Sequence, residues 1–375
     1  LILLFCAIIF LVCEDIKMDK KIFKNDIYLV FDKLLKTRNL KLEEFELLIE
    51  NRDMILDEVY LSAKAITKRF FNKEIYVRGL IEISNCCKND CYYCGIRASN
   101  RDVNRYRLSR EEILESVKLG TEIGFKTFVL QGGEDKGFKD EELIEIIREI
   151  KKINPETAIT LSVGEKEFDV LEKYRLAGAD RFLLRHETKN QEHYYKLHPK
   201  SMSQEHRLQA LSNLKKLGFQ TGSGIMVGSP GQTVSNIAED LVYLSELNPE
   251  MVGIGPFIPA KGTPFENEDS GSVELTVFLL CILRIMFPRA NIPATTSLAT
   301  LSKEWRDKAI EYAANVYMPN MTPTYRRKDY ALYKDKACFK IEAAENLEEL
   351  KNMFGELGYH IVMNRGDFKD VQRKK

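Results

Sequence analysis

The strongest constraint on this chain is a texture that begins at residue 75, where short apolar runs alternate with charged stretches whose hydrophobic residues recur at helical spacing. The runs predict strands over 75–84, 126–131, 157–162, 180–185, 221–227, 251–255, 291–296 and 315–318. The stretches between them predict helices over 109–123, 140–152, 166–177, 203–217, 233–247, 273–287 and 303–313, with another near 346–357. Eight strands each followed by a helix is the arithmetic of an α/β fold of the (β/α)8 TIM-type barrel class; a doubly wound open sheet is the alternative. Upstream, Leu34, Leu35, Leu40, Leu48, Ile49, Ile55, Val59 and Leu61 stand at helical spacing among charges, which predicts an N-terminal helical extension. The expected organisation is a helical segment over 18–72, a barrel over 73–345, and a C-terminal helix and basic tail over 346–375.

Composition narrows the partners. Lys plus Arg equals Asp plus Glu at 56 each, so the net charge is zero and nothing favours nucleic acid or an anionic membrane. At 375 residues, with no linker or internal repeat, one catalytic domain is the economical reading. One feature stands apart: Leu1 to Cys13 is apolar throughout. That run is too short to span a bilayer, which needs about 20 residues, and it has neither a basic segment before it nor a small-residue cleavage site after it. The first methionine is Met18, so residues 1–17 read as a mis-set gene start, against the alternative of an interfacial anchor. A cytoplasmic protein is expected.

The cysteines carry the chemistry. They stand at 6, 13, 86, 87, 91, 94, 281 and 338, and four of them fall in the loop after the first strand. Disulfides are disfavoured in a chain with no secretory signal. Structural zinc wants four ligands, yet the nearest downstream histidine is His186. The spacing CxxxCxxC of Cys87, Cys91 and Cys94 fits a 4Fe-4S cubane in which three thiolates leave one iron open to an outside ligand. The second strand then ends in Gln131-Gly132-Gly133-Glu134-Asp135, a tight glycine turn. In the fourth, Arg181, Leu183, Arg185 and, just beyond, Glu187 share one face; Thr160 and Ser162 likewise share a face of the third, and Thr295 and Thr296 end the seventh. An arginine facing a barrel interior is costly unless something anionic meets it, whereas ion pairs toward the helix layer are the plainer alternative.

With these motifs the chain resembles the radical S-adenosylmethionine (SAM) superfamily, whose open iron is chelated by SAM. Finer strings resemble one branch, the [FeFe]-hydrogenase maturase HydE, near biotin synthase and methylornithine synthase. They are Arg105-Tyr106-Arg107, Thr160 to Glu165, Leu184-Arg185-His186-Glu187-Thr188, Met226 to Thr233, Gly253 to Pro259 and Asn291 to Thr296. The resemblance implies one 4Fe-4S cluster on Cys87, Cys91 and Cys94, and SAM contacts from Tyr93, Gly132, Gly133, Glu134, Glu187 and Arg207. It also implies a substrate lumen lined by Thr160, Ser162, Arg181, Arg185, Met251, Thr295, Thr296, Met318 and Tyr330. The implied activity is reductive SAM cleavage, with the 5′-deoxyadenosyl radical acting on an iron carbonyl cyanide complex of cysteine, alongside the other maturases and a ferredoxin or flavodoxin. Biotin synthase needs further cysteines for a second cluster, and none lies between Cys94 and Cys281. A methylornithine synthase-like mutase acting on an amino acid is the runner-up, and a non-enzymatic iron-sulfur scaffold, which would ligate its cluster fully, is the third reading. Within the HydE pattern the chain departs at Arg326, where a tyrosine is usual, and lacks two further cysteines after Cys338.

Overall fold

Burial decides which face of each strand becomes the lumen. The computed structural model of the chain describes residues 26–334, 336 and 346–368. The apolar opening with Cys6 and Cys13, the start at Met18, Cys338 and residues 369–375 lie outside the described residues. In the first strand window Ile81 and Ile83 join the cluster that holds Leu130, Leu161 and Phe182 with residues of the surrounding helices. Side chains of the other parity, Arg78, Leu80, Glu82 and Ser84, therefore point into the barrel.

The strands are β1 (Glu74–Val77), β2 (Gly79–Ser84), β3 (Thr127–Gly132), β4 (Ala158–Ser162), β5 (Arg181–Leu183), β6 (Gln220–Ser223), β7 (Met226–Val227), β8 (Met251–Val252), β9 (Gly255–Pro256), β10 (Val316–Tyr317) and β11 (His360–Val362). One parallel ladder runs in the order β2, β3, β4, β5, β6, β8. Parallel bridges from Met251 to Asn291, Pro293 to Val316 and Leu80 to Asn320, with β10 on β1, carry it round to its start. The ring is a closed barrel, with residues 291–293 and 316–320 serving as its last two staves. The expected strands 221–227 and 251–255 each break at a glycine. A Cβ on Gly224 would lie 2.0 Å from the Gly253 carbonyl oxygen, so the two backbones touch there, and β7 and β9 pair beyond the break.

The helices are α1 (26–37), α2 (Leu42–Glu50), α3 (Leu56–Phe71), α4 (Arg110–Ile123), α5 (Asp140–Ile153), α6 (Phe168–Ala177), α7 (Gln191–Leu197), α8 (Gln204–Lys216), α9 (Val234–Leu247), α10 (Val273–Met286), α11 (Thr296–Leu301), α12 (Lys303–Tyr312) and α13 (Leu347–Glu356). The strand expected over 291–296 gives way at its end to the short α11. Helix α10 is buried from Thr276 to Met286, because α3 covers the side that would otherwise meet water. The N-terminal helices thus extend the core over one flank of the barrel, from Ile27 to Ala63. Among the described residues no helix is long and apolar enough to cross a membrane.

The C-terminal residues do more than follow the barrel. Strand β11 pairs with β1, and residues 364–368 then cross the N-terminal mouth as a floor. Arg181, fully buried, meets Asp367 Oδ1 at 2.6 Å and the Arg365 carbonyl at 2.5 Å; Asn291 donates to the Gly366 carbonyl, and Arg365 pairs with Asp180 at 2.9 Å. The expectation that Arg181 works beside Arg185 on a substrate is thereby corrected. Its parity was read properly, but it begins β5, and its anionic partner is Asp367 of the floor. Burial acts to raise the Asp367 carboxyl, yet the bond from Arg365 and the Arg181 charge outweigh it and hold the group at about 2. Because the folded value lies below the ordinary one, this pair is at full strength above about pH 4 and is lost as pH falls toward about 2. Asp367→Ala leaves the Arg181 guanidinium buried without its counter-charge and is expected to cost about 2–3 kcal/mol in denaturant unfolding at neutral pH. A change below about 0.5 kcal/mol would show that the floor carbonyl alone suffices.

Candidate active site

The strand ends of the barrel meet at its C-terminal rim, and the cysteine loop leaves from the end of β2. Arg105 sews that loop, donating to the carbonyls of Asn85, Ile96, Arg97 and Asn100 at 2.6–2.9 Å. Asp90 pairs with Arg97 at 2.7 Å, and the Gly95 N–H bonds the Leu332 carbonyl. These bonds leave Cys87, Cys91 and Cys94 half-buried on one short loop. Cys86 is turned aside, its Sγ 3.7 Å from the Tyr106 carbonyl. Cys91 Sγ lies 3.7 Å from Met202 Sδ.

The glycine turn packs directly on this loop. The Gly133 N–H bonds the Ser84 carbonyl, and a Cβ there would stand 2.3 Å from Cys86 O and 2.7 Å from Cys87 Cβ. Only a glycine lets the two segments approach so closely. Glu134 braces the junction: its carbonyl accepts from Lys88 N, while its carboxylate meets Lys88 Nζ at 3.1 Å and Glu165 N at 3.0 Å. Its carboxylate is thus already engaged. Asp135 takes a bidentate pair from Arg107 at 2.6 and 2.7 Å and a bond from Ser84 Oγ.

Across the rim the arrangement differs. Glu187 is buried at a left-handed φ of 66°, uncommon for a non-glycine residue. Its Oε1 meets Arg185 Nε at 3.0 Å, whereas Oε2 has no hydrogen-bond partner. Arg207, on α8, spends its fork on Glu165 at 2.8 Å and on the Arg185 carbonyl at 3.0 Å, leaving Nε unpartnered. An acceptor and a donor, both buried and both unfilled, flank the cysteine loop. Tyr93 Oη lies 3.2 Å from His198 Nε2, and His198 Nδ1 lies 3.0 Å from the Tyr194 carbonyl. Burial, with the Arg207 charge, lowers His198 to about 3, so its ring is neutral; Nδ1–H serves the carbonyl and Tyr93 donates to Nε2.

Below the rim, Thr160 is buried with an unpartnered hydroxyl. Ser162 pairs in register with Gln131, whose amide reaches Tyr330 Oη at 3.3 Å. Thr295 Oγ1 lies 3.1 Å from Ser297 Oγ beside Gly255, and Thr296 opens α11. Met251 accepts from Arg78 across the lumen at 3.2 Å, while Met318 packs with Tyr76 and Val316 on the closing staves. Glu82 and Lys336 carry no signal in the sequence motifs, whereas Arg105 and Glu165 stand in two of those strings without a role assigned to them. Glu82 is fully buried, bonded to Lys336 Nζ and, at 3.1 Å, to Asn320. A glutamate among the apolar residues of β2 was the available signal.

The three thiols suit a shared iron centre. Burial pushes all three up, Cys94 to about 12, and neighbouring thiolates add to this at Cys91 and Cys94. Three such thiolates coexist only with positive charge among them, which a multi-iron cluster supplies. Among the described residues no three Cys, His, Asp or Glu side chains close on one point as a single ion requires. A cubane takes its thiolates at separate corners, so its sulfurs stand apart.

Comparison with known proteins decides the family. The model of the radical SAM superfamily matches residues 81–244, from β2 through the cysteine loop to α9. The chain is also 44% identical over 282 residues to the [FeFe] hydrogenase maturase subunit HydE of Thermotoga maritima, spanning 75% of this chain and 80% of that protein. The chain belongs to the radical SAM superfamily. A second relative, the 3-methylornithine synthase of Methanosarcina acetivorans, is 31% identical over 286 residues, spanning 75% of this chain and 80% of its own. The crystal structure of methylornithine synthase (PylB) superposes with a TM-score of 0.75 at 24% identity, covering 89% of this chain and 97% of that one, a likeness of fold. As a radical SAM enzyme the protein uses a 4Fe-4S cluster and SAM. When bound and reduced, that cluster supplies the electron that cleaves SAM to methionine and a 5′-deoxyadenosyl radical. The residues present fit both groups: Cys87, Cys91 and Cys94 would hold the iron beside the Gly133 cradle, and Glu187 Oε2 and Arg207 Nε, both without a partner, would meet polar edges of SAM.

Proposed function

We propose that this enzyme acts in hydrogenase maturation as HydE does, directing the adenosyl radical onto the thiolate sulfur of an iron carbonyl cyanide complex that carries cysteine, so that a carbon–sulfur bond forms and the odd electron passes to the complex's iron, reducing it by one electron. The observation that carries this reading is the 44% identity to HydE across three quarters of the chain. The lumen supports it. An anionic complex with cyanide and carboxylate acceptors suits the Arg185 guanidinium, the unfilled Thr160 hydroxyl, Ser162 and the Gln131–Tyr330 pair. Cys87, Cys91 and Cys94 would hold the cluster, while Tyr93, Gly132, Gly133, Glu187 and Arg207 would line the SAM site, with Glu134 bracing it. The substrate would come from the tyrosine-cleaving maturase and the electron from a ferredoxin or flavodoxin. A reducing cytoplasm matches a centre built on free thiolates.

The test supplies the reconstituted, reduced enzyme with SAM and the maturase-made complex under argon. A product joining the deoxyadenosyl group to the complex's sulfur is expected by mass spectrometry. The 31% identity to 3-methylornithine synthase favours a second reading, and rearrangement of an amino acid in a parallel reaction, with the iron complex untouched, would replace the first. Arg185→Leu is expected to lower complex-dependent turnover by about tenfold or more, the worth of one charge-assisted contact. Slow SAM cleavage without substrate should persist in that variant. Loss of iron from it would instead show that Arg185 serves the fold.

A further inference from the structure

Behind Glu187 lies a polar network with no path to solvent. His186, Ser223 and Asp240 are each 0% exposed and come from the end of β5, the end of β6 and α9. His186 N donates to Ser223 Oγ at 3.2 Å; Nδ1 lies 2.9 Å from the same oxygen, and Nε2 lies 3.2 Å from Asp240 Oδ1. That Asp240 oxygen also accepts the backbone N–H of Lys189 at 2.5 Å. One arrangement of the protons satisfies all three groups with a neutral ring: Ser223 Oγ accepts the His186 backbone N–H and donates its own hydrogen to Nδ1, while Nε2–H goes to the carboxylate. The trio has the partners of a hydrolase triad. Its complete burial denies any substrate access to the serine, and nucleophilic work is thereby excluded.

What the network does hold is the turn from 186 to 189. Asp240 grips it at both ends, through the His186 ring and the Lys189 N–H, and Ser223 grips the His186 backbone as well. Between these points Glu187 sits at φ 66°. A non-glycine residue held there costs about 1–3 kcal/mol and persists only where its surroundings over-determine it. Relaxation of φ to the ordinary negative region would swing the carboxylate away from the rim. Burying the Asp240 carboxylate, with Oδ2 left unpartnered, is itself unfavourable, so the arrangement serves something other than stability. We infer that Ser223, His186 and Asp240 are positioning residues, which hold Glu187 in its strained conformation and so aim its free Oε2 at SAM. This rests on the reading of Glu187 as a SAM contact.

The test measures SAM affinity by equilibrium dialysis on anaerobically reconstituted protein, with iron counted on the same samples. Asp240→Ala is expected to retain its iron while the SAM Kd rises about tenfold, the scale on which loss of a supporting partner weakens a bound group. Asp240→Asn, which keeps an oxygen for Nε2–H and for the Lys189 N–H, should recover most of that loss. Should Asp240→Ala fail to fold, Ser223→Ala, which removes one hydroxyl and keeps the rest of the side chain, carries the test with a several-fold weaker SAM affinity expected. Unchanged SAM affinity in either folded, iron-loaded variant overturns the inference. Glu187→Gln separates the two ideas. If it leaves SAM affinity unchanged, the reading of Glu187 fails; if it weakens SAM while the buried variants do not, only the positioning role fails.

Discussion

Replacing any one of Cys87, Cys91 or Cys94 by alanine is expected to abolish the formation of 5′-deoxyadenosine and methionine, while Cys86→Ala keeps both. The reason is geometric. Cys86 is adjacent in sequence, but its Sγ points to the Tyr106 carbonyl, whereas Cys87, Cys91 and Cys94 stand on the loop at the spacing a cubane takes. Loss of one ligand from three leaves a cubane with too few anchors. Reconstituted wild-type protein should bind about 4 irons per chain, the content of one cubane, and Cys281→Ser should leave that value unchanged. Cys281 is fully buried in α10, where a free thiol behaves as a small hydrophobe. Iron retained by Cys87→Ala and lost by Cys86→Ala would reverse the ligand assignment.

Gly133→Ala should be nearly as damaging, although it removes no functional group. The added methyl would stand 2.3 Å from Cys86 O and 2.7 Å from Cys87 Cβ, and the nearer atom is backbone, which cannot swing aside as a side chain does. Relief requires the cysteine loop to lift, against the four carbonyls that Arg105 holds and the Lys88–Glu134 bonds. Overpacking of this kind costs about 1–3 kcal/mol, and here the displaced segment carries a candidate cluster ligand. Iron content is expected to fall to less than about half of wild type, with the barrel still folded by circular dichroism. Gly355→Ala, which meets no atom within 4 Å, is the matched control and should keep full iron. Wild-type iron and SAM affinity in Gly133→Ala would show that the turn and the loop are not rigidly coupled.

The parts of the site that were legible in the sequence are those whose geometry is local. Cys87, Cys91 and Cys94 fall on one loop whatever surrounds them, because the chain between them is too short to do otherwise. The Gly132-Gly133 turn and the alternation of strand and helix belong to the same class. Residue parity along β5 also came through, since successive strand side chains must alternate between faces. Parity says nothing of height, however. Arg181 and Arg185 share a face but stand about 13 Å apart along the strand direction, and that distance separates the floor from the rim.

Tertiary structure decided everything that depends on which distant segment arrives at a given height. Asp367 takes Arg181 because β11 returns to β1 and carries residues 364–368 under the barrel, a pairing of segments nearly three hundred residues apart in sequence. Lys336 meets Glu82, and Arg207 meets Glu165, by the same kind of closure. The left-handed φ of Glu187 could not be read from its neighbours either, since the groups that hold the turn around it belong to Ser223, Gly224 and Asp240. Ligand spacing and strand parity are properties of the covalent chain and its local sterics, and the sequence by itself determined them. The ion pairs that neutralise buried charge, and the polar groups left without a partner at the rim, follow from the register in which the barrel closes, which only the assembled core decides.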